Sequence, residues 1–321
     1  MSRVPSLGVA LVAAVVMLVG CRNDGTSPTT NESPVNPVTP PRNDPSPGPA
    51  LLTGHVAFVS DQDGTAHIYV LKSDGTGATA LTSGPVADRS PAWSPDGTQI
   101  AFGRYRQGIF VVKADGSGLV RLTSDPSDTD PDWSPDGTRI AFARFSAGLQ
   151  QDIYVMGADG SAVTRLTKDG LNLSPAWSPD GQRIAFDHTI NSDDALWQVY
   201  TMTKDGNDIR RLTSATALAQ SAEGGAAWSP DGRSIVYWSF FDGVAVIPSD
   251  GSGAARSLIL NFPEINYWAR PRWSPEGEQV LFATSLGSLG NHLLVINVDG
   301  SGVRQVKGME NANAWDVTWV R

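Results

Sequence analysis

The sequence predicts an all-β protein, a six-bladed β-propeller with the C-terminal strand closing the first blade. Three observations carry this expectation. Trp-Ser-Pro-Asp-Gly recurs at Trp93–Gly97, Trp133–Gly137, Trp177–Gly181 and Trp228–Gly232, with Trp273-Ser274-Pro275-Glu276-Gly277 as a fifth copy, at intervals of 40, 44, 51 and 45 residues. An Asp-Gly pair recurs at Asp74-Gly75, Asp115-Gly116, Asp159-Gly160, Asp205-Gly206, Asp250-Gly251 and Asp299-Gly300. The two ends of the array complement each other. His55-Val56-Ala57-Phe58 matches the strand that follows each Ser-Pro-Asp-Gly, and Trp315-Asp316-Val317-Thr318-Trp319 matches the strand that precedes it. Periods of about 40–45 residues in strand-rich sequence mark four-stranded propeller blades. Joining tail to head supplies the strand missing from the first repeat and leaves no open sheet edge.

Each element of a repeat has a local reason. The first strand ends in Trp-Ser, and Pro-Asp-Gly then supplies a fixed φ, an Asx-type acceptor and a glycine, which suits a type I turn. The second strand is a short apolar run, as in Ile100-Ala101-Phe102, Ile140-Ala141-Phe142, Ile184-Ala185-Phe186, Ile235-Val236-Tyr237 and Val280-Leu281-Phe282. A third run, such as Ile109–Val112, Ile153–Met156 or Leu293–Val298, leads into the Asp-Gly pair, where a tight hairpin with both residues at positive φ is expected. The fourth strand carries Arg-Leu-Thr at Arg121–Thr123, Arg165–Thr167 and Arg211–Thr213.

Residues 1–20 read as an address rather than as fold. Arg3 gives a positive start, and Leu7–Gly20 is an uncharged run of 14 residues, short of the roughly 20 needed to span a bilayer. The run closes in Leu18-Val19-Gly20-Cys21, which resembles the bacterial lipobox; that resemblance implies cleavage before Cys21 and lipidation of its thiol and new amino group. An ordinary signal peptide or a short uncleaved anchor is the plainer alternative. Arg22 stands where an Asp would resemble an inner-membrane retention signal, so the periplasm-facing outer membrane is the expected address, with the cell surface as the other. Residues 21–50 hold the lipidated cysteine and a Pro/Ser/Thr-rich tether with almost nothing apolar to bury. An extended chain of that length reaches up to roughly 90 Å. The propeller is then 51–321.

Composition narrows the function. With 24 Lys+Arg against 33 Asp+Glu the formal net charge is −9, which argues against nucleic acid as the partner. The 40% hydrophobic content supports a packed core, and a single cysteine excludes an internal disulfide or a multi-cysteine zinc site.

The repeat residues resemble the TolB-type, or WD40-like PD40, repeats. That signature is Pro-x-Trp-Ser-Pro-Asp-Gly, Ile-Ala-Phe, Ile-Tyr-Val-Met-x-x-Asp-Gly and Arg-Leu-Thr, and Pro175–Phe186 with Asp152–Thr167 match it almost letter for letter. The resemblance covers nearly everything after residue 50 and implies a propeller. The family's namesake is similar in carrying this propeller in the periplasm, but adds an N-terminal α/β domain that contacts other Tol components; residues 22–50 cannot be that domain.

In such a fold the links between strands one and two, and three and four, share one face. Asp96, Asp136, Asp180, Asp231 and Glu276 there are read as turn formers rather than a catalytic carboxylate ring. Trp93, Trp133, Trp177, Trp228, Trp273 and Trp319 are read as packing between blades. The opposite face carries loops that vary, including Arg104–Gly108, Phe145–Gln151, His188–Leu196, Trp238–Gly243, Asp125–Asp130 and Pro263–Arg270. Trp238, Phe240, Phe241, Tyr267 and Trp268 do not follow the repeat, and form the candidate binding face, with local lids over blade edges as the plain alternative. Asp193, Asp194, Asp128 and Asp130 are carboxylates that would help hold a cation such as calcium at that face, against the reading that they are simply solvated. Asp61-Gln62-Asp63-Gly64 looks calcium-loop-like for four residues but lacks the bidentate Glu. No nucleophile elbow, zinc-protease motif or phosphate loop is present, and His55, His67, His188 and His292 share no ligand spacing. No catalytic residue, metal ligand or cofactor is therefore assigned. The expectation is a non-catalytic, lipid-anchored envelope scaffold, monomeric, binding a protein or peptide. The alternative is a pore-centred metal-dependent hydrolase or carbohydrate-binding propeller.

Overall fold

The computed structural model describes residues 52–72, 76–146, 150–189, 197–213, 223–239, 243–259, 270–285, 291–309 and 313–320. The expected signal, Cys21 and tether lie outside these, as do Asp74-Gly75, Asp193 and Asp194. The described residues form 24 strands and no helix.

One sheet has the order β24-β1-β2-β3, built from Ala314–Val320, His55–Ser60, His67–Leu71 and Ala78–Ala80. Three more are four-stranded meanders: β4 (Asp88–Trp93) to β7 (Val120–Arg121), β16 (Glu223–Trp228) to β19 (Arg256–Ile259), and β20 (Arg272–Trp273) to β23 (Arg304–Gln305). The strands from β8 (Asp128–Trp133) to β15 (Arg210–Arg211) share a single eight-stranded sheet. The fold is an all-β propeller, but the expectation of six separate blades needs correction: four sheets stand as separate four-stranded blades. The cause of the fusion is local. A parallel bridge sets Gln151 of β10 (Gln150–Gly157) opposite Leu171 of β12 (Leu171–Trp177). Asn172 Nδ2 donates to the Gln151 carbonyl at 3.0 Å and holds the two strand ends together.

Strand β24 pairs antiparallel with β1, setting His55 opposite Val320, Val56 opposite Trp319 and Ala57 opposite Thr318. Strands about 260 positions apart in sequence thus complete one sheet.

The alternation within each second strand explains how the sheets stack. In β5 (Gln99–Arg104), Ile100 and Phe102 point one way, into a cluster with Ala57, Val59 and Ile68 of the preceding sheet and with Trp93. Ala101 points the other way, where its small side chain receives Trp133, Ile140 and Phe142 of the next sheet. The period of two therefore puts a bulky face against one neighbour and a small face against the other. The pattern repeats through six apolar clusters, the last combining Leu281, Leu293 and Val295 with Val56, Phe58, Val317 and Trp319. Each Ile or Phe buried this way contributes about 1.5–3 kcal/mol. The repeated tryptophans belong to these clusters, with Trp93, Trp133, Trp177 and Trp319 buried and Trp228 and Trp273 partly so.

Turns follow the sequence closely at one motif and differ at the other. In Ser94–Gly97 the Gly97 N–H donates to the Ser94 carbonyl at 2.9 Å, and Gly97 sits at φ 68°, a left-handed value that glycine adopts without penalty. Asp96 Oδ1 accepts from the Ser94 hydroxyl at 2.6 Å and from the Thr98 N–H at 3.1 Å. These bonds hold the Asp96 carboxyl below the usual range. At Asp115-Gly116 only the glycine is left-handed, at φ 84°, so the expected pair of positive φ values is corrected. The turn runs from Lys113 to Gly116, and Asp115 serves through its side chain, accepting from the Ser117 N–H at 2.8 Å. The fourth strands are only two residues long in four of the sheet segments. The threonine of Arg-Leu-Thr lies just beyond; Thr123 Oγ1 accepts from the Ile109 N–H at 3.0 Å, and Thr167 and Thr213 repeat this at Ile153 and Val199.

Candidate functional site

In five of the six repeats the chain carries a local distortion three residues before the tryptophan of the first strand. Ser90, Asp130, Ser174, Gly225 and Asp316 all have φ between 50° and 68°. Pairing to the second strand slips there, between Arg89 and Ala92, Thr129 and Asp132, Leu173 and Ala176, and Gly224 and Ala227. A bulge of this kind bends a strand and re-aims the side chain at its centre. Four of these positions are non-glycine residues held in a left-handed conformation, which costs about 1–2 kcal/mol each. They are therefore held by tertiary contacts.

Those contacts converge. Ser90 donates its hydroxyl to Asp130 Oδ1 at 2.7 Å and its N–H to Asp316 Oδ2 at 2.7 Å. Arg270, from the equivalent position before Trp273, places Nη2 2.9 Å from Asp130 Oδ1 and Nε 3.5 Å from Asp316 Oδ1. Its Nη1 donates to Ser90 Oγ at 3.3 Å. One guanidinium thus ties together residues of three sheets and the entry to a fourth. Burial pushes the Asp130 carboxyl up, but the Arg270 charge and the Ser90 hydroxyl outweigh it and hold the group below the usual carboxylate range. Burial would lower Arg270, and the charges of Asp130 and Asp316 overcome it and raise it further.

A second layer adjoins this one. Asp187 of β13 (Arg183–Thr189) accepts the Gly225 N–H at 2.9 Å. Asp132 accepts the Trp177 N–H at 2.7 Å. Burial pushes both carboxyls up to about 6, only partly opposed by these bonds and by Arg270 and Arg272. Arg272 donates to the Pro271 carbonyl at 3.0 Å; burial and the neighbouring Arg270 charge lower it. These two carboxyls have the perturbed titration seen in acid–base catalysis, yet each is engaged in holding a backbone N–H of the next sheet segment.

No repeated motif marks this cluster in the sequence. A signal was present: read three residues before each tryptophan, the repeats give Ser90, Asp130, Ser174, Gly225, Arg270 and Asp316, polar or glycine throughout and often followed by proline.

The residues that were singled out are dispersed. Trp238 lies inside β17 (Ser234–Ser239), opposite Gly224 and Val244, and is only 4% exposed, so it belongs to the interior rather than to a surface patch. Phe240, Phe241, Tyr267 and Trp268 lie outside the described residues. Asp128 and Asp130 are not cation-seeking loop carboxylates. Arg144 binds Asp128 at 2.5 and 2.9 Å, and Asp130 belongs to the Arg270 cluster. Asp61-Gln62-Asp63-Gly64 is a hairpin turn closed by Gly64 N–H to the Asp61 carbonyl at 2.8 Å. Asp63 there accepts from the Tyr69 hydroxyl, and Asp61 from Asn313 Nδ2 at 2.7 Å. The histidines stay apart. His55 packs on Trp93, His67 Nδ1 is 3.6 Å from Asp88, His188 bonds Asn172 at 2.9 Å and His292 bonds Gln305 at 3.0 Å. No group of three or more His, Cys, Asp or Glu side chains among the described residues is placed to hold a metal ion. No helix among them is long and apolar enough to cross a membrane.

The TolB beta propeller domain, PD40, matches residues 125–320, more than half of the chain. The chain belongs to the TolB β-propeller family. Over 60 residues it is 37% identical to the Tol-Pal system protein TolB of Desulfosudis oleivorans, a stretch covering 19% of this chain and 14% of that protein's own length. TolB from Acinetobacter baumannii superposes with a TM-score of 0.70 at 23% identity, covering 84% of this chain and 67% of that one. An oligogalacturonate lyase from Vibrio parahaemolyticus superposes with a TM-score of 0.54 at 16% identity, covering 81% and 77%. Both structural likenesses are to the propeller fold alone, and TolB-family membership rests on the domain match.

Proposed function

We propose that this TolB-family chain is a non-catalytic scaffold of the bacterial cell envelope, held to a membrane by lipid on Cys21 and binding a protein or peptide partner. In this reading residues 1–20 are the signal, 21–50 the lipidated cysteine and tether, and 51–321 a six-bladed propeller in which the eight-stranded sheet counts as two blades. The six apolar clusters between successive sheet segments support that count.

The observation that carries the scaffold reading is the Arg270 lock. In a pore-centred metal enzyme the convergent carboxylates would be free to bind a cation and substrate. Here the position between Asp130 and Asp316 is filled by a guanidinium, which repels a cation and satisfies both acids. The cluster acts as a rivet between sheets and leaves recognition to the loops, where Phe240, Phe241, Tyr267 and Trp268 remain the proposed contacts. Variable loops on a rigid framework are well suited to that task.

Two measurements test this. Cys21→Ala is expected to release the chain from the membrane fraction, and continued membrane association in the variant defeats the anchor. Crosslinking in intact cells followed by pull-down is expected to return one protein in near-equal amount with the bait. Absence of any such species, together with turnover of an oligosaccharide by the purified chain, would replace the scaffold by the enzyme reading.

A further inference from the structure

We propose that Arg89, Tyr105 and Arg106 form a docking site for an acidic, extended segment of the partner protein. The proposal rests on the scaffold reading and gives its partner a chemistry. Tyr105 is 49% exposed, at the turn after β5. The Arg89 guanidinium carbon lies 5.3 Å from its ring centroid and that of Arg106 lies 5.2 Å from it. Two like charges beside one exposed ring repel each other until an anion joins them, and the ring offers each only about 0.5–1 kcal/mol of compensation.

The neighbouring arginines show what a structurally committed guanidinium looks like here. Arg104 binds buried Asp88 through Nε at 2.7 Å and Nη2 at 3.0 Å, and Arg144 binds Asp128 in the same way. Arg89 and Arg106 have no carboxylate partner among the described residues. In a chain of formal charge −9, two cations left open beside one ring, Arg89 from β4 and Arg106 from the turn, form a local site of opposite sign to the whole.

The turn is also pre-set. Gln107 N–H donates to the Arg104 carbonyl at 2.9 Å, and Tyr105 N–H donates to the Ala87 carbonyl at 2.9 Å, pinning the turn against the chain entering β4. Arg106 sits at φ 54°, where glycine would be unstrained. The turn thus keeps an arginine at a conformational cost, and that arginine is one of the two beside Tyr105. Arg89 lies opposite Gly103 across the strand pair, and a methyl group at Gly103 would stand 3.8 Å from Arg89 Cγ and 3.4 Å from Thr129 Oγ1. In the following repeat Phe145 occupies the place of Tyr105, directly after Arg144, and is 51% exposed. Paired guanidinium groups grip carboxylates by forked hydrogen bonds, and exposed rings supply flat contact for the chain between them.

The test uses the full chain in non-ionic detergent and fluorescence anisotropy of fluorescein-labelled hexaglutamate, with labelled hexalysine as the opposite charge. Binding of hexaglutamate alone is expected, weakening as salt rises. Arg89→Ala with Arg106→Ala is expected to weaken it about tenfold or more, and Arg89→Lys with Arg106→Lys to restore part of the loss. An unchanged thermal midpoint in both double variants shows that the fold is intact. Equal hexaglutamate affinity in the wild type and the alanine variant, or equal binding of hexalysine, overturns the site. Crosslinking separates the two levels of the argument. A partner captured equally by wild type and alanine variant overturns the site but keeps the scaffold, whereas no partner with either overturns the scaffold.

Discussion

Replacing Arg270 with Met keeps the length of the side chain and removes its charge. Asp130 and Asp316 then lose their common counter-ion in a place where their side chains are only 8% and 14% exposed. Removing one partner of a buried ion pair costs about 3–5 kcal/mol, because the charge left behind has no solvent. For a domain of this size that corresponds to a fall in thermal midpoint on the order of 10 °C. The loss has a distinctive pH dependence. In the wild type the Asp130 carboxyl is held below its unfolded value of about 3.9. Its stabilising contribution is therefore present above that value and disappears as pH falls through the folded pKa. Without Arg270 burial is opposed only by the hydrogen bonds from Ser90 and Thr129, the folded pKa rises, and the variant is penalised at high pH and recovers as the acid is protonated. The gap between the two proteins is thus expected to be widest near pH 7.5 and to narrow by pH 4.5. Urea unfolding at both pH values measures it. A difference within about 0.5 kcal/mol at pH 7.5, or one that does not shrink in acid, would refute the rivet. The triple change Arg270→Met, Asp130→Asn, Asp316→Asn is expected to regain much of the loss, since no unpaired charge remains.

Two further outcomes follow from the same structure. Asp187 and Asp132, with folded pKa values of about 6 against about 3.9 unfolded, favour the protonated native state, so wild-type stability falls as pH rises through that window. Asp187→Asn or Asp132→Asn keeps an acceptor for the backbone N–H and is expected to stabilise the protein at pH 7.5 by on the order of 2 kcal/mol, flattening the profile between about pH 4 and 6; an unaltered slope in the denaturant titrations counts against the assignment. Trp319→Ala removes a 9%-exposed ring from the cluster shared by the first and last strands and is expected to cost about 3–5 kcal/mol; a change below about 1 kcal/mol in unfolding free energy would mean that this seam does not bear on stability.

What the sequence revealed depends on how local the cause is. The turn at Ser94-Pro95-Asp96-Gly97 was readable because its hydrogen bonds lie within five residues. The burial of Trp93 and Trp133 was readable because alternation over Ile100-Ala101-Phe102 fixes which side chain faces which neighbour. The Asp-Gly turn was half readable: its place was evident, but Asp115 and glycine split the work, one by side chain and one by φ. The Arg270 cluster escaped because Ser90, Asp130, Arg270 and Asp316 are of three types in four repeats, so no motif marks them, and they meet only when sheets far apart in sequence converge. Trp238 misled for the opposite reason. A tryptophan that broke the pattern suggested a surface, whereas β17 extends through it and buries it. The fused sheet arose from one parallel bridge, Gln151 opposite Leu171, beside which the Asn172 amide links the same two strand ends.

The pairing of β24 with β1 sets a timetable for folding. His55–Ser60 has only β2 beside it until residues 314–320 arrive, so its outer row of backbone donors and acceptors stays unsatisfied while everything between is made. That edge stays open through most of synthesis, and folding finishes in a single late docking event whose slowness follows from the great length of chain it must close.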